Sequence, residues 1–396
     1  MPLSPISQPD EPPVAPAPTL RLPLDPLLTL AVIGLGVCSV LTLRVATAKL
    51  IPGDPHYYVV RQVVYLAVGA ALMLVMTRLD YSGLRRIKAG IYAALILSIL
   101  LVLGLGSEAN GSQRAISLPF FSFQASELGK VLLIVSLAAF IVERSRTIRE
   151  RDTTVRVLIG TLVPAILVIA QPDLGSGMVY VVVALTLLFV AGTSWKTLTA
   201  LLALIAVSAT FVLVAAPAAG VHVLKRYETA RLTAFLHPSA NTQTEGYQQA
   251  ESKIAIGAGG KTGRPADLRQ IPNGFVPESD TDFVFAAVGE TYGFVGAGLV
   301  LLLYALLISR TLRILVMAKD LFGSLVAAGV AGMLMFQVFV NVGMTVGIMP
   351  ITGVTLPLMS YGGSSVITTM LAVGLLQSIY VQARAAAALK GRVLRQ

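Results

Sequence analysis

Long apolar runs separated by short polar clusters set the pattern of this chain. A helix needs about 20 predominantly apolar residues to cross the hydrocarbon core of a bilayer. Ten runs approach that length: 26–46, 59–77, 89–106, 127–143, 155–171, 176–192, 196–217, 284–308, 322–347 and 364–382. The expected fold class is an all-α polytopic membrane protein with about ten transmembrane helices. The polar clusters then assign a direction. Arg78, Arg85, Arg86 and Lys88 follow the second run, and Arg144, Arg146, Arg149, Arg151 and Arg156 follow the fourth. Lys196 follows the sixth, Arg310, Arg313 and Lys319 the eighth, and Arg384, Lys390, Arg392 and Arg395 the tenth. All of these are even-numbered exits and share one side, which the positive-inside rule makes the cytoplasm, together with both termini.

Composition supports the pattern. Hydrophobic residues make up 55% of the 396 and charged residues only 13%, whereas soluble domains run nearer a quarter charged. Mean hydropathy is +0.79. The net charge of +10 invites a polyanion as partner, but the topology accounts for most of it and no nucleic acid is required. The only cysteine, Cys38, lies in the first run, which excludes a disulfide framework or a thiolate metal cluster within one chain. Residues 1–25 are rich in proline and lack the basic-then-apolar layout of a cleaved signal peptide, so they read as a disordered cytoplasmic tail. The membrane domain then covers 26–385, and 386–396 form a basic cytoplasmic tail.

On the other side sequence accumulates. A large extracytoplasmic loop of about 218–283, between helices 7 and 8, carries seven basic and seven acidic residues. Loops of that length are usually functional or disordered. Its segment "IAIGAGGKTGR" (254–264) mixes apolar residues with glycines, which suggests ordered turns. Two further loops, 107–130 and 349–365, hold apolar residues broken by Pro and Gly. Non-helical backbone at membrane depth persists only where protein buries it or where it lines a wet cavity. Three such loops imply an outward-facing cavity.

Acids crowd one edge of that cavity. "GFVPESDTDFVFAAVGE" (274–290) places Glu278, Asp280 and Asp282 ahead of an apolar helix that carries Glu290. Helix capping by Asp280 or Thr281 is one reading, with Asp282 offsetting the helix dipole. Chemistry at one acid, with the other as its electrostatic neighbour, is the alternative. Two residues apart, the pair does not share a face on a helix or a strand. A second group is Arg114, Glu127 and Lys130. Glu127 and Lys130 stand three apart at the start of a helix and so share a face. Charges at that depth are costly and face a cavity or each other, so this is either a structural pair or a ligand site, while Arg114 is either a snorkelling interfacial residue or a ligand cation. Two cations and a carboxylate beside acids suit an anionic ligand with a reacting hydroxyl. Other signals are weaker. "GAGGKTG" (257–263) lacks the spacing and strand context of a phosphate-binding loop. His56, His222 and His237 have no metal-ligand spacing, and Ser364 and Ser365 lack a nucleophile elbow or paired histidine.

The chain resembles the SEDS family (shape, elongation, division and sporulation), the RodA/FtsW/SpoVE-like peptidoglycan glycosyltransferases. The resemblance rests on "GSQRAI" (111–116), "FQASELGK" (123–130), "QPDLGSG" (171–177), "RLTAFLHP" (231–238), "GYQQAESKIAIGAGG" (246–260), "PESDTDF" (277–283) and "PLMSYGGSS" (357–365), in order along nearly the whole chain. "GIMPITGVTLPLMSYGGSS" (347–365) looks more like RodA than FtsW, which implies a role in elongation and cell shape. The resemblance implies Asp282 as the catalytic residue, with Arg114, Gln124, Ser126, Glu127, Lys130, Asp280 and Ser364 toward the substrate. It also implies lipid II and undecaprenyl-diphosphate-linked glycan as substrates, a class B penicillin-binding protein as partner, and a cytoplasmic (inner) membrane location with an extracytoplasmic site. Departures include Asp280 for a usual His, Ala115 for Trp, Ala125 for Pro, Glu251 for Gln and Thr291 for Glu. A carboxylate at 280 close to Asp282 would tend to raise the pKa of Asp282.

The expected chemistry joins a sugar 4-hydroxyl to an anomeric carbon that bears diphosphate. It needs one base, Asp282, and cations for the departing oxygens, Arg114 and Lys130. Glu127 either holds Lys130 or helps recruit a divalent cation, Mg2+ or Mn2+, to the diphosphate. A precursor flippase and a non-catalytic scaffold for a cell-wall synthase are the rival readings. A membrane sugar ligase shares the chemistry and is set aside on the motifs alone.

Overall fold

A computed structural model describes residues 24–48, 51, 54–109, 112–118, 120–211, 245–264, 271, 276 and 278–393. Most of the proline-rich start, and the part of the large loop that includes "RLTAFLHP", lie outside the described residues. Among the described residues eleven α-helices follow one another: α1 Pro26–Ala46, α2 Tyr57–Arg78, α3 Lys88–Leu105, α4 Ala125–Glu143, α5 Arg151–Ala170, α6 Leu174–Val190, α7 Trp195–Thr210, α8 Glu245–Gly259, α9 Val284–Met317, α10 Leu321–Val346 and α11 Gly363–Val393. Each of the ten expected runs falls on one of them as far as it is described; the end of the seventh, 212–217, lies outside the described residues. Eight of the helices are long and apolar enough to cross a membrane, and α6 and α7 are shorter apolar helices. The fold is that of an all-α polytopic membrane protein. Between α3 and α4 lies one small addition, an antiparallel sheet of β1 Ser107–Ala109, β2 Ser112–Ser117 and β3 Ser122–Phe123.

Hydrogen bonding at the helix starts follows from the sequence. Asp25 accepts from the Leu28 N–H ahead of Pro26, Asp173 from Ser176, Ser194 from Thr197 and Asp320 from Gly323. Each side chain satisfies one of the orphan N–H groups of a first turn. Two bundles of contact build the middle. α4, α10 and α11 are buried along most of their length, whereas α2 and α3 show much of theirs to the surroundings. Small residues set the closest approaches: a Cβ on Gly329 would meet Ile134 of α4, and one on Gly332 would meet Thr186 of α6. Lipid is as apolar as leucine, so helices here associate by close packing, which small residues permit.

The basic loops meet at one end of the bundle. Tyr81, in a 3-10 turn after α2, donates to Asp320 at the start of α10 and stacks on Phe322. Lys88 pairs with Glu143, and Lys319 donates to Gln382. Deeper at this end, buried Asp25 binds Arg310 of α9 and takes Gln377 of α11 on its backbone N–H. Asp25 is therefore part of the fold rather than of a tail.

At the opposite end two expectations are corrected. The segment 254–264 is not a set of turns alone: α8 covers its first part, and turns begin at Gly260. The eighth run is not one straight helix either, because α9 breaks at Gly293, with φ 65° and ψ −160°. Only glycine adopts that conformation readily. The break is filled by the turn after α8, which accepts from Phe294 N–H at Gly260 O (2.9 Å) and from Val295 N–H at Lys261 O (3.1 Å). Arg264 N–H returns a bond to Glu290 O at 3.1 Å. A side chain at Gly293 would collide with the backbone of Gly263. Freed backbone groups at membrane depth need partners, and this inserted turn supplies them.

Candidate active site

The acidic loop 278–283 sits at the end opposite the basic loops, and backbone bonds fix it. Glu278, in the left-handed region at φ 55°, accepts from Thr281 and Phe283 N–H groups. The carbonyls of Asp280, Thr281 and Asp282 are each held by the 341–361 region. Tyr361 N–H donates to Asp280 O at 2.8 Å, the Ser360 hydroxyl to Thr281 O, and the Asn341 amide to Asp282 O at 2.8 Å. Asn341 also donates to Val354 O, and Ser360 accepts from Leu356 N–H. Leu358 in the same loop also has a positive φ, 65°. A non-glycine residue in that region costs about 1–3 kcal/mol and persists only where surroundings over-determine it. Glu278 and Leu358 both belong to the loops that build this site.

Neither Asp280 nor Thr281 is the N-cap of α9. The cap of α9 is Phe283, without a side-chain hydrogen bond, and Thr281 instead donates to the Glu278 carboxylate at 2.8 Å. Asp280 and Asp282 are both half-buried. Burial, together with the charge of Glu278, pushes the Asp280 carboxyl above the ordinary range.

The second group lies on α4 and α6. Glu127 and Lys130 form an ion pair at 2.6 Å, with 5% and 2% of their side chains exposed. Burial this deep tolerates a charge only when it is paired. One turn earlier, Ser126 donates to Asp173 at 2.6 Å and the Gln124 amide donates to the same oxygen at 3.1 Å. Tyr180, fully buried on α6, donates to Ser126 O at 3.2 Å. A Cβ on Gly129 would strike this tyrosine's hydroxyl, so the glycine lets the two helices close on the cluster. Ser364 is committed to the junction between these parts: it donates to Ser122 O at 2.7 Å and accepts from Gln124 N–H at 2.9 Å.

The expected loop 107–130 is thus a sheet followed by a helix start, with Ser126, Glu127 and Lys130 already helical. Arg114 is placed on β2, and its side chain lies outside the described residues. Two residues escaped the sequence-based site list. Asp173 stood in "QPDLGSG", where a cap explained it equally well. Asn341 stood alone inside an apolar run, and an intramembrane polar residue was the available signal. As for a divalent cation, the Lys130 ammonium already takes the charge of Glu127, and among the described residues no three acids, histidines or cysteines converge. The described residues do not fit a cation held by side chains alone.

Comparisons with known proteins agree along the whole membrane domain. The family model FtsW/RodA/SpoVE, described as "Cell cycle protein", matches residues 24–385. A probable peptidoglycan glycosyltransferase FtsW of Thioalkalivibrio sulfidiphilus is 35% identical, over 89% of this chain and 88% of the relative. Peptidoglycan glycosyltransferase RodA of Treponema pallidum is 33% identical, over 81% and 88%. A solved structure described as structural coordination of polymerization and crosslinking by a peptidoglycan synthase complex aligns with a TM-score of 0.76 at 31% identity, covering 91% of this chain and 99% of that one.

Proposed function

Because the chain belongs to the FtsW/RodA/SpoVE family and is a membrane-embedded peptidoglycan glycosyltransferase, we propose that it polymerises lipid II with Asp282 as general base. The acceptor 4-hydroxyl oxygen attacks the anomeric carbon of the donor. Its proton passes to the Asp282 carboxylate as the carbon–oxygen bond to undecaprenyl diphosphate breaks, and the diphosphate leaves with the electron pair. A single displacement with one base inverts the anomeric centre, so an α-linked donor gives a β-linked strand. Diphosphate needs charge neutralisation rather than a proton. Lys130 and Arg114 take that role, Lys as a point charge and Arg as a fork. Glu127 holds Lys130 in place through their ion pair. Where Mg2+ or Mn2+ takes part, phosphate oxygens rather than side chains alone would hold it.

The observation that carries this reading is the anchoring of 280–282 through three successive backbone carbonyls, which supports a carboxylate borne on a rigidly held backbone. Asp280 and Gln124 border the substrate path, and Ser126 and Ser364 shape it. We place the site end outside the cytoplasm and both termini inside, on the basic loops that gather at the other end. The "GIMPITGVTLPLMSYGGSS" segment favours a RodA-like role in elongation, with a class B penicillin-binding protein cross-linking the strands.

Polymer formation from purified lipid II tests the assignment, in wild type, Asp282→Asn and Asp280→Asn, each with the cognate class B partner. Product from wild type and Asp280→Asn but none from Asp282→Asn is expected. Equal activity of wild type and Asp282→Asn would remove the base, and a covalent glycosyl-enzyme on Asp282 by mass spectrometry would replace inversion with double displacement.

A further inference from the structure

An aromatic cluster stands beside the acidic loop, and the mechanism above does not use it. Tyr57, Tyr58 and Arg61 lie on the first turns of α2, and Tyr361 lies in the loop before α11. Tyr58 meets Tyr361 edge to face at 4.9 Å and Tyr57 at 5.3 Å. The Arg61 guanidinium sits 4.2 Å over the Tyr57 ring and also bonds the Tyr361 side chain. Beneath them, buried Tyr65 leans on Tyr361 at 6.1 Å and donates to Phe120 O at 2.8 Å. The upper rings and Arg61 are only half-buried.

Tyrosines also form belts where helices leave a membrane, and a belt would explain single rings facing lipid. Two observations separate this cluster from a belt. Tyr361 N–H holds Asp280 O, so the cluster is bonded directly to the loop that carries Asp282. Tyr58 lies within electrostatic reach of both Asp280 and Glu278. Ring faces, two carboxylates and a guanidinium thus share one surface. A pyranose ring offers the matching groups. Its axial C–H bonds carry slight positive charge and suit the negative face of an aromatic ring. Its hydroxyls donate to carboxylates, and an N-acetyl carbonyl accepts from Arg.

We infer that Tyr58 and Tyr361, with Arg61 and the Asp280 and Glu278 carboxylates, form a sugar subsite that holds an N-acetylated pyranose of the acceptor beside Asp282. The inference rests on the polymerase reading for the identity of the sugar. The subsite orients the acceptor and leaves the displacement itself to Asp282.

The test compares Tyr58→Leu and Tyr361→Leu, which remove a ring, with Tyr58→Phe and Tyr361→Phe, which keep it. Binding of a soluble oligomer of N-acetylglucosamine to the detergent-solubilised full chain is measured by saturation-transfer NMR, beside KM and kcat for lipid II with the partner present. Thermal unfolding selects variants that remain folded. Each Leu variant should weaken probe binding and raise KM by about threefold to tenfold, the size of one lost ring contact, with kcat nearly unchanged and the Phe variants near wild type. Unaltered probe binding and KM in the Leu variants would overturn the subsite, and so would Phe variants as impaired as Leu. Asp282→Asn serves as the separating control. If it binds the probe and still polymerises, the base assignment falls while the subsite stands.

Discussion

Two aspartate-bearing turns introduce long helices of this bundle and are held in opposite ways. At the basic end the side chain of Asp25 carries the structure: one oxygen accepts from Leu28 N–H at 2.9 Å and from Arg310 Nε at 3.1 Å, and the other accepts from the same guanidinium. At the site end the backbone carries it, through the carbonyls of Asp280, Thr281 and Asp282. An acid used as a staple cannot be changed without loosening the two helices that its side chain joins, α1 and α9. A loop pinned by its carbonyls can change its acids and keep its anchors. The two turns thus differ in which atoms hold them, side-chain oxygens at Asp25 and backbone carbonyls at 280–282.

The largest test of the contrast is Asp282→Asn. Loss of a general base costs about 10²–10⁴-fold in rate, and with the carbonyl anchors intact the unfolding midpoint should barely move. A parallel fall in stability would make Asp282 a second Asp25. Next in size is Asp25→Ala, which leaves Arg310 buried without its partner. Breaking such a pair costs about 3–5 kcal/mol, read as a lower thermal midpoint in detergent, while polymerisation per folded molecule holds. Asn341→Ala probes the anchor itself. Two buried carbonyls lose their donor, which costs about 1–3 kcal/mol, and activity should fall partway because the Asp282 backbone is released. Unchanged activity would show that the loop does not depend on this bond.

The smallest effect concerns pH. The folded chain holds the Asp280 proton more tightly than the unfolded chain, since burial and the Glu278 charge raise that carboxyl. Its contribution to stability is therefore full below the ordinary aspartate range and is lost as pH rises through the raised value. Asp280→Asn removes this dependence, so the variant should be slightly more stable than wild type at neutral pH, and the gap should close in acid. A gap that widened in acid would reverse the sign and place a cation beside Asp280.

Much of the fold was legible because its signal is local. Apolar length marked the helices and basic clusters marked one end, whereas the caps Asp25, Asp173, Ser194 and Asp320 emerged only with the helices they start. Glu127 and Lys130 were readable as a pair from their spacing on one helix face. Less legible were the elements whose meaning depends on a distant segment. Gly293 inside an apolar run carries no sign of a break, because the break needs the turn at 260–264 to receive the freed N–H groups. Asp173 read as a cap and is one, yet the same carboxylate also gathers Ser126 and Gln124 from another helix.

The sequence by itself determined a membrane-spanning helical chain and where its acids and cations stand along it, since hydropathy and charge are properties of each residue. Only the tertiary structure decided which distant partners hold these carboxylates and the loops that carry them. That choice rests on hydrogen bonds between residues far apart in the chain: Asp25 with Arg310 and Gln377, Asp282 with Asn341, and Asp280 with Tyr361. A buried polar group must find a partner somewhere, and the residue that requires one does not specify where in the chain it comes from.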